Sequence, residues 1–124
     1  MTRMQKTTLI AALLFPLTAA AMPASAAEPE QIFKFYCAQC HGLTGKGDGP
    51  NVTKGFPVSP RNFTNAKEMN KLSDADIKNV ILDGGPTMSK SAMMPPWSKT
   101  LGDGVVDGLV KHLRKLCKCA GKKG

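Results

Sequence analysis

The chain has 124 residues, with 17 basic and nine acidic side chains and a formal net charge of +8. That length excludes more than one domain, and an aromatic content of 6% leaves a purely protein core meagre. A domain this small calls for a staple or filler: disulfides, metal or a large apolar cofactor.

In chain order, residues 1–26 read as a secretory signal. Arg3 and Lys6 give the charged start, "TTLIAALLFPLTAAAM" the apolar run, and Ala24-Ser25-Ala26 a small-residue site for cleavage before Ala27. A bilayer span needs about 20 apolar residues. This run is shorter and broken by Pro16, so cleavage and export are expected rather than an uncleaved anchor. No cysteine follows the run to carry a lipid. The working protein is then 27–124, exported to the oxidising periplasm.

The stretch 28–41, "EPEQIFKFYCAQCH", predicts a helix with Pro29 near its first turn and Ile32, Phe33 and Tyr36 on one stripe. A long Gly-, Pro-, Lys- and Asn-rich loop is expected over 42–70, beginning with "GLTGKGDGPN". Residues 72–85 predict a second helix: Ser73 and Asp76 resemble a capping box, Ile77, Val80 and Ile81 form the stripe, and Gly84-Gly85 ends it. After a loop over 86–100, a last helix is expected over about 104–118, with Val105, Leu109, Leu113 and Leu116 at helical spacing. No alternating strand pattern or long repeat occurs, so the expected fold class is all-α with long loops.

Chemistry concentrates in Cys37-Ala38-Gln39-Cys40-His41. C-x-x-C-H is the attachment signature of c-type haem. Two thiols three apart at a helix end can form thioethers to one porphyrin edge, and the next residue then offers its imidazole to the iron. A thioredoxin-like pair would need no histidine and would adjoin a βαβ unit. The more serious rival is zinc held by Cys37, Cys40, Cys117 and Cys119. A second axial ligand is offered by "SAMMPPW", where Met93 and Met94 lie in a proline-stiffened loop rather than as helix filler.

With those motifs in place, the chain resembles the class I cytochromes c, of the small bacterial periplasmic monohaem kind. The resemblance runs from about Glu30 to Leu116 and rests on "CAQCHG", "GKGDGP", "PRNFT", "LSDADI", "MMPPW" and "LVKHLRKL" in the family order. It implies a cytochrome c fold of three to four helices wrapped around one covalent haem c, held by Cys37, Cys40, His41 and Met94, with His41 and Met94 on the iron. Met93 is the neighbouring alternative; Met88 and Met69 are weaker ones. It further implies that Phe33 and Leu109 meet where the first and last helices cross. Pro50 is then the carbonyl partner of the histidine ring, and Arg61 and Trp97 are candidates for the haem propionates, although surface Arg and packed Trp are equally good readings. His112 stands where the family usually has an aromatic residue, and packing explains it better than iron ligation.

Two features depart from that pattern or extend it. Cys117 and Cys119 sit two apart in a basic tail, 117–124, and can pair locally only if the helix has ended. Bridging to a second chain and metal binding are the alternatives; a monomer with both cysteines near the surface is expected. Lys111, Arg114, Lys115, Lys118, Lys122 and Lys123 crowd the same end. They suit a helix C-terminus and also an acidic docking surface on a redox partner; membrane contact is a further reading and nucleic acid is not expected. The expected function is a one-electron carrier in a periplasmic respiratory or oxidative pathway, not an enzyme. The alternatives are a haem c subunit fixed in a larger oxidoreductase, and a ligand-sensing or peroxidatic haem protein in which the methionine leaves.

Overall fold

The structure is a computed structural model and describes residues 28–123. The expected signal segment, 1–26, lies outside the described residues. Helices account for all regular structure among the described residues, which bears out the all-α reading.

The first helical run starts where Pro29, lacking an N–H, occupies an early position that needs none. It comprises α1 (Pro29–Ile32), a π-helical turn (Phe33–Cys37) and α2 (Ala38–His41). The π turn, closed by the Ala38 N–H on the Phe33 carbonyl, was not expected from the periodicity. Such turns often mark functional sites, and this one ends on Cys37.

Four carbonyls at the end of a helix have no partner within it. Here every one is taken by the glycine-rich loop that follows. The amides of Gly42, Asn51, Gly49 and Gly47 donate to the carbonyls of Ala38, Gln39, Cys40 and His41 at 2.8–3.1 Å. Gly49 has no substitute, because a Cβ there would collide with the Ala38 and Gln39 carbonyls. The loop is thus the cap that fixes the helix end carrying Cys40 and His41.

The 42–70 loop contains one short helix that sequence reasoning missed, α3 (Ala66–Met69), started by the Asn65 side chain accepting from the Glu68 N–H. α4 (Asp74–Asp83) carries the expected capping box, Ser73 with Asp76, and stops at Gly84. A 3₁₀ turn (Gly85–Met88) follows in the expected loop. α5 (Asp103–Cys117) buries Val106, Leu109, Val110, Leu113 and Cys117. The stripe is therefore centred one position past Val105, which is half-buried, as is Leu116.

The first helical run and α5 meet where expected. Phe33 and Leu109 are each 1% exposed, and Gly108 lets Pro29 approach so closely that an added Cβ would fall 2.7 Å from Pro29 Cγ. His112 packs against Phe33 with ring centroids 5.0 Å apart, which agrees with a packing role. Phe33 also meets Phe63 edge-on at 6.2 Å. Truncating it should cost about 3–5 kcal/mol, typical of a buried Phe→Ala change; urea unfolding of Phe33→Ala should show a lower midpoint with unchanged slope.

Candidate functional site

Between the first helical run, α4 and α5 lies a largely apolar cavity with two lobes of about 490 and 320 Å³. Each falls within the ~300–1,000 Å³ usual for a ligand pocket. The lobes share His41, Phe63, Ile81, Met93, Met94 and Leu113. Cys37 and Cys40 line the larger lobe, so all four predicted site residues face one space.

Both cysteines are free and half-buried. Burial, reinforced by the neighbouring Cys40, pushes the Cys37 thiol up to about 11. A free Cys37 thiol therefore stays neutral near pH 7. The His41 ring lies 4.4 Å from that of Phe63 and nearly parallel to it, at 24°. Its Nδ1–H donates to the Arg61 carbonyl at 3.1 Å. That bond leaves the proton on Nδ1 and the Nε2 lone pair available to a metal. Burial lowers the His41 pKa, with the Arg61 carbonyl acting in the opposite sense and the Arg61 charge adding to the lowering. The neutral, ligating form is favoured.

The carbonyl partner corrects an expectation. Pro50 is exposed, and the acceptor lies instead in the Pro60-Arg61 segment. That segment is drawn against His41 because the Phe63 N–H donates to the Gly45 carbonyl at 2.6 Å, and Gly47 leaves no room for a Cβ beside the Pro60 carbonyl. The sequence alone does not single out Phe63, whose ring stacks on the imidazole. A backbone acceptor and a stacking partner carry no sequence signal of their own.

Met94 is fixed by its backbone. Its carbonyl accepts from the Gly85 N–H at 2.9 Å and its N–H donates to the Ser91 carbonyl at 3.2 Å. It is half-buried against the core, whereas Met93 is 50% exposed. Both line the two lobes, so burial rather than position separates them. Met69 is fully buried and Met88 half-buried in the smaller lobe. Arg61 lines the smaller lobe and Trp97 the larger, where its ring meets Tyr36 at 5.2 Å. His112 is among neither set of lining residues.

The zinc reading finds no support. Cys117 pairs with Cys119 in a disulfide, and no group of three or more His, Cys, Asp or Glu side chains converges among the described residues. Helix α5 stops at Cys117, with Lys118 at φ +50°, which is the condition set for local pairing. Cys117 is only 4% exposed, against the expectation that both cysteines lie near the surface.

Two thiols at one helix end, a neutral imidazole, a thioether and apolar walls fit a covalently tethered haem. Residues 24–113 match the family model described as cytochrome c oxidase, cbb3-type, subunit III. A solved structure named KustC0563 c-type cytochrome is 27% identical, with a TM-score of 0.59 over 72% of this chain and 96% of its own length. A chain of the Kuenenia stuttgartiensis reducing HAO-like protein complex Kustc0457/Kustc0458 is 29% identical, with a TM-score of 0.57 over 73% of this chain. This chain spans only 42% of that one. No curated protein matches.

Proposed function

The chain belongs to the cytochrome c oxidase, cbb3-type, subunit III family and is a class I c-type cytochrome, and from that premise we propose that it is a periplasmic one-electron carrier, not an enzyme, with a single covalent His/Met-ligated haem c. Haem-based electron transfer follows from the family itself; the finer reading rests on the convergence of Cys37, Cys40, His41 and Met94 on one apolar cavity. When bound, haem supplies an iron that gains and loses one electron and a porphyrin edge through which that electron passes.

This chain's residues do the rest. Cys37 and Cys40 would tether the group. His41 is held by the Arg61 carbonyl in the tautomer that presents Nε2, and the Phe63 ring limits its rotation. Met94 is pinned through Gly85 and Ser91 rather than by its own side chain. Held by His41 and Met94, a haem would offer water and substrate little access to its iron, which would favour electron exchange over chemistry at the metal.

The test is a reduced-minus-oxidised spectrum before and after carbon monoxide, taken with the mass of the mature chain. A carrier gives a low-spin spectrum unmoved by carbon monoxide and a mass beginning at Ala27 plus one haem. A high-spin ferric spectrum, or one changed by carbon monoxide, would overturn the carrier reading in favour of a ligand-sensing or peroxidatic protein.

A second reading, a subunit fixed within a larger oxidoreductase, is favoured by the family description and by the neighbour that is part of a complex. Co-purification of a stable redox partner would select it.

An acidic redox partner would meet a smaller basic face than composition suggests. Arg114 is 11% exposed in its side chain and Lys122 pairs with Asp76 at 3.3 Å, which leaves Lys123 exposed in the tail and, around the end of α5, Lys111, Lys115 and Lys118. Replacing Lys111, Lys115 and Lys118 by glutamine should slow association several-fold at low salt. The difference should fade as screening shortens to about 8 Å near physiological ionic strength. Stopped-flow mixing with an acidic partner across a salt series checks it.

A further inference from the structure

Beyond residue 113, where the family match ends, the chain builds a latch. The Lys118 N–H donates to the Lys115 carbonyl and the Cys119 N–H to the Arg114 carbonyl, both at 3.3 Å. This is the helix-ending pattern that usually takes glycine in its left-handed position. Here the position holds Lys118, at φ +50°. A residue with a Cβ resists that conformation, and the Cys117–Cys119 disulfide bridges across it. Such a short ring removes little entropy from the unfolded chain, so the bond is poorly explained as a staple of the whole fold. Its effect is local.

What it holds is the tail. The Gly121 N–H donates to Asn70 Oδ1 at 3.0 Å, the Lys122 N–H to the Leu72 carbonyl at 3.3 Å, and Lys122 Nζ reaches Asp76. Gly121 lies directly over the Arg114 guanidinium. Arg114 in turn joins Asp74 and the carbonyls of Met69 and Leu72 at 2.7–2.9 Å. Met69 and Leu72 wall the smaller lobe of the cavity.

The two sulfurs differ. Cys117 is buried, while Cys119 is half-buried, with Arg114 Nη1 3.7 Å from its Sγ. A nearby guanidinium favours a thiolate. We propose that Cys117–Cys119 is a thiol–disulfide exchange site, taking a protein dithiol as its reductant, whose reduction unlatches the basic tail from α3 and α4. The incoming thiolate attacks Cys119 Sγ; the bond to Cys117 breaks and Cys117 leaves as a thiolate, which takes a proton from water. The donor's second thiol, giving up its proton, attacks the mixed disulfide and displaces Cys119 as a thiolate beside Arg114, which is then protonated. Two electrons and two protons pass to the pair and the donor becomes a disulfide. Lys118, Lys122 and Lys123 are then carried on a free arm.

The test uses the full purified protein, oxidised in air. Reduced thioredoxin is added under native conditions, iodoacetamide follows, and peptide masses locate the label. Hydrogen exchange of the 119–122 amides is measured on the same samples. The expected result is alkylation at Cys117 and Cys119 and exchange faster by about tenfold or more, as for loss of a local structural unit. Cys119→Ser, which keeps the buried Cys117 in place, should show the same fast exchange without reductant. A pair already unpaired in air, or one reduced only in denaturant, would overturn the exchange site. Unchanged exchange in both the reduced protein and Cys119→Ser would overturn the latch.

Discussion

Protein carrying Cys37→Ala and Cys40→Ala together is expected to lose its colour on acid denaturation and to have the mass of polypeptide alone. Wild-type protein should stay coloured and heavier by one haem. Each single variant should keep the mass through its remaining thioether. The double variant should also fold poorly. Were the larger lobe of about 490 Å³ dry and unfilled, at about 24 cal/mol per Å³ it would cost roughly 12 kcal/mol. That is comparable with the whole stability of a domain, about 5–15 kcal/mol. Phe33, Phe63, Ile81, Leu109 and Leu113 all line that lobe, so its occupant is as much core as cofactor. Circular dichroism of the double variant should show reduced helix and a broad thermal transition. A colourless chain that melted sharply at the wild-type temperature would sink the structural role, and wild-type protein containing zinc and no haem would sink the attachment.

What was legible in the sequence was whatever a side chain states by its identity. Helix α4 is written in local signals, a capping box at Ser73 and Asp76 and a stop at Gly84, and its extent was read to within two residues. The four predicted site residues stood out because thiol, imidazole and thioether are scarce groups with narrow uses, and the structure brings all four to one cavity. Backbone relations were not readable. The π turn over Phe33–Cys37 is one extra residue in a helical ladder, which shifts no hydrophobic stripe far enough to notice. The partner of His41 is a carbonyl, which every residue has, so a resemblance pointed to Pro50 and the fold supplied Arg61. The four-residue α3 is shorter than any periodicity can detect. At the other end, the fate of Cys117 and Cys119 hung on where α5 stops. Lys118 gave no warning, since the left-handed turn it makes is one that sequence reasoning reserves for glycine.

The sharpest separation between neighbours concerns Met94 and Met93. Met94→Ala should abolish the weak near-infrared sulfur-to-iron band of the oxidised protein, while Met93→Ala should leave it in place. The reasoning rests on burial and on how the backbone is held. Met94 is half-buried with its carbonyl and N–H both engaged, so its side chain enters the cavity from a fixed root. Met93 is half exposed, and its N–H is held only by the Ser91 hydroxyl at 3.1 Å. The potential should move with the band. Thioether favours ferrous iron, so its loss should lower the potential by on the order of 0.1 V, a fraction of the ~0.8 V that axial ligands span. Spectroelectrochemical titration of both variants measures band and potential together. A band that survives in Met94→Ala and vanishes in Met93→Ala would move the ligand by one residue.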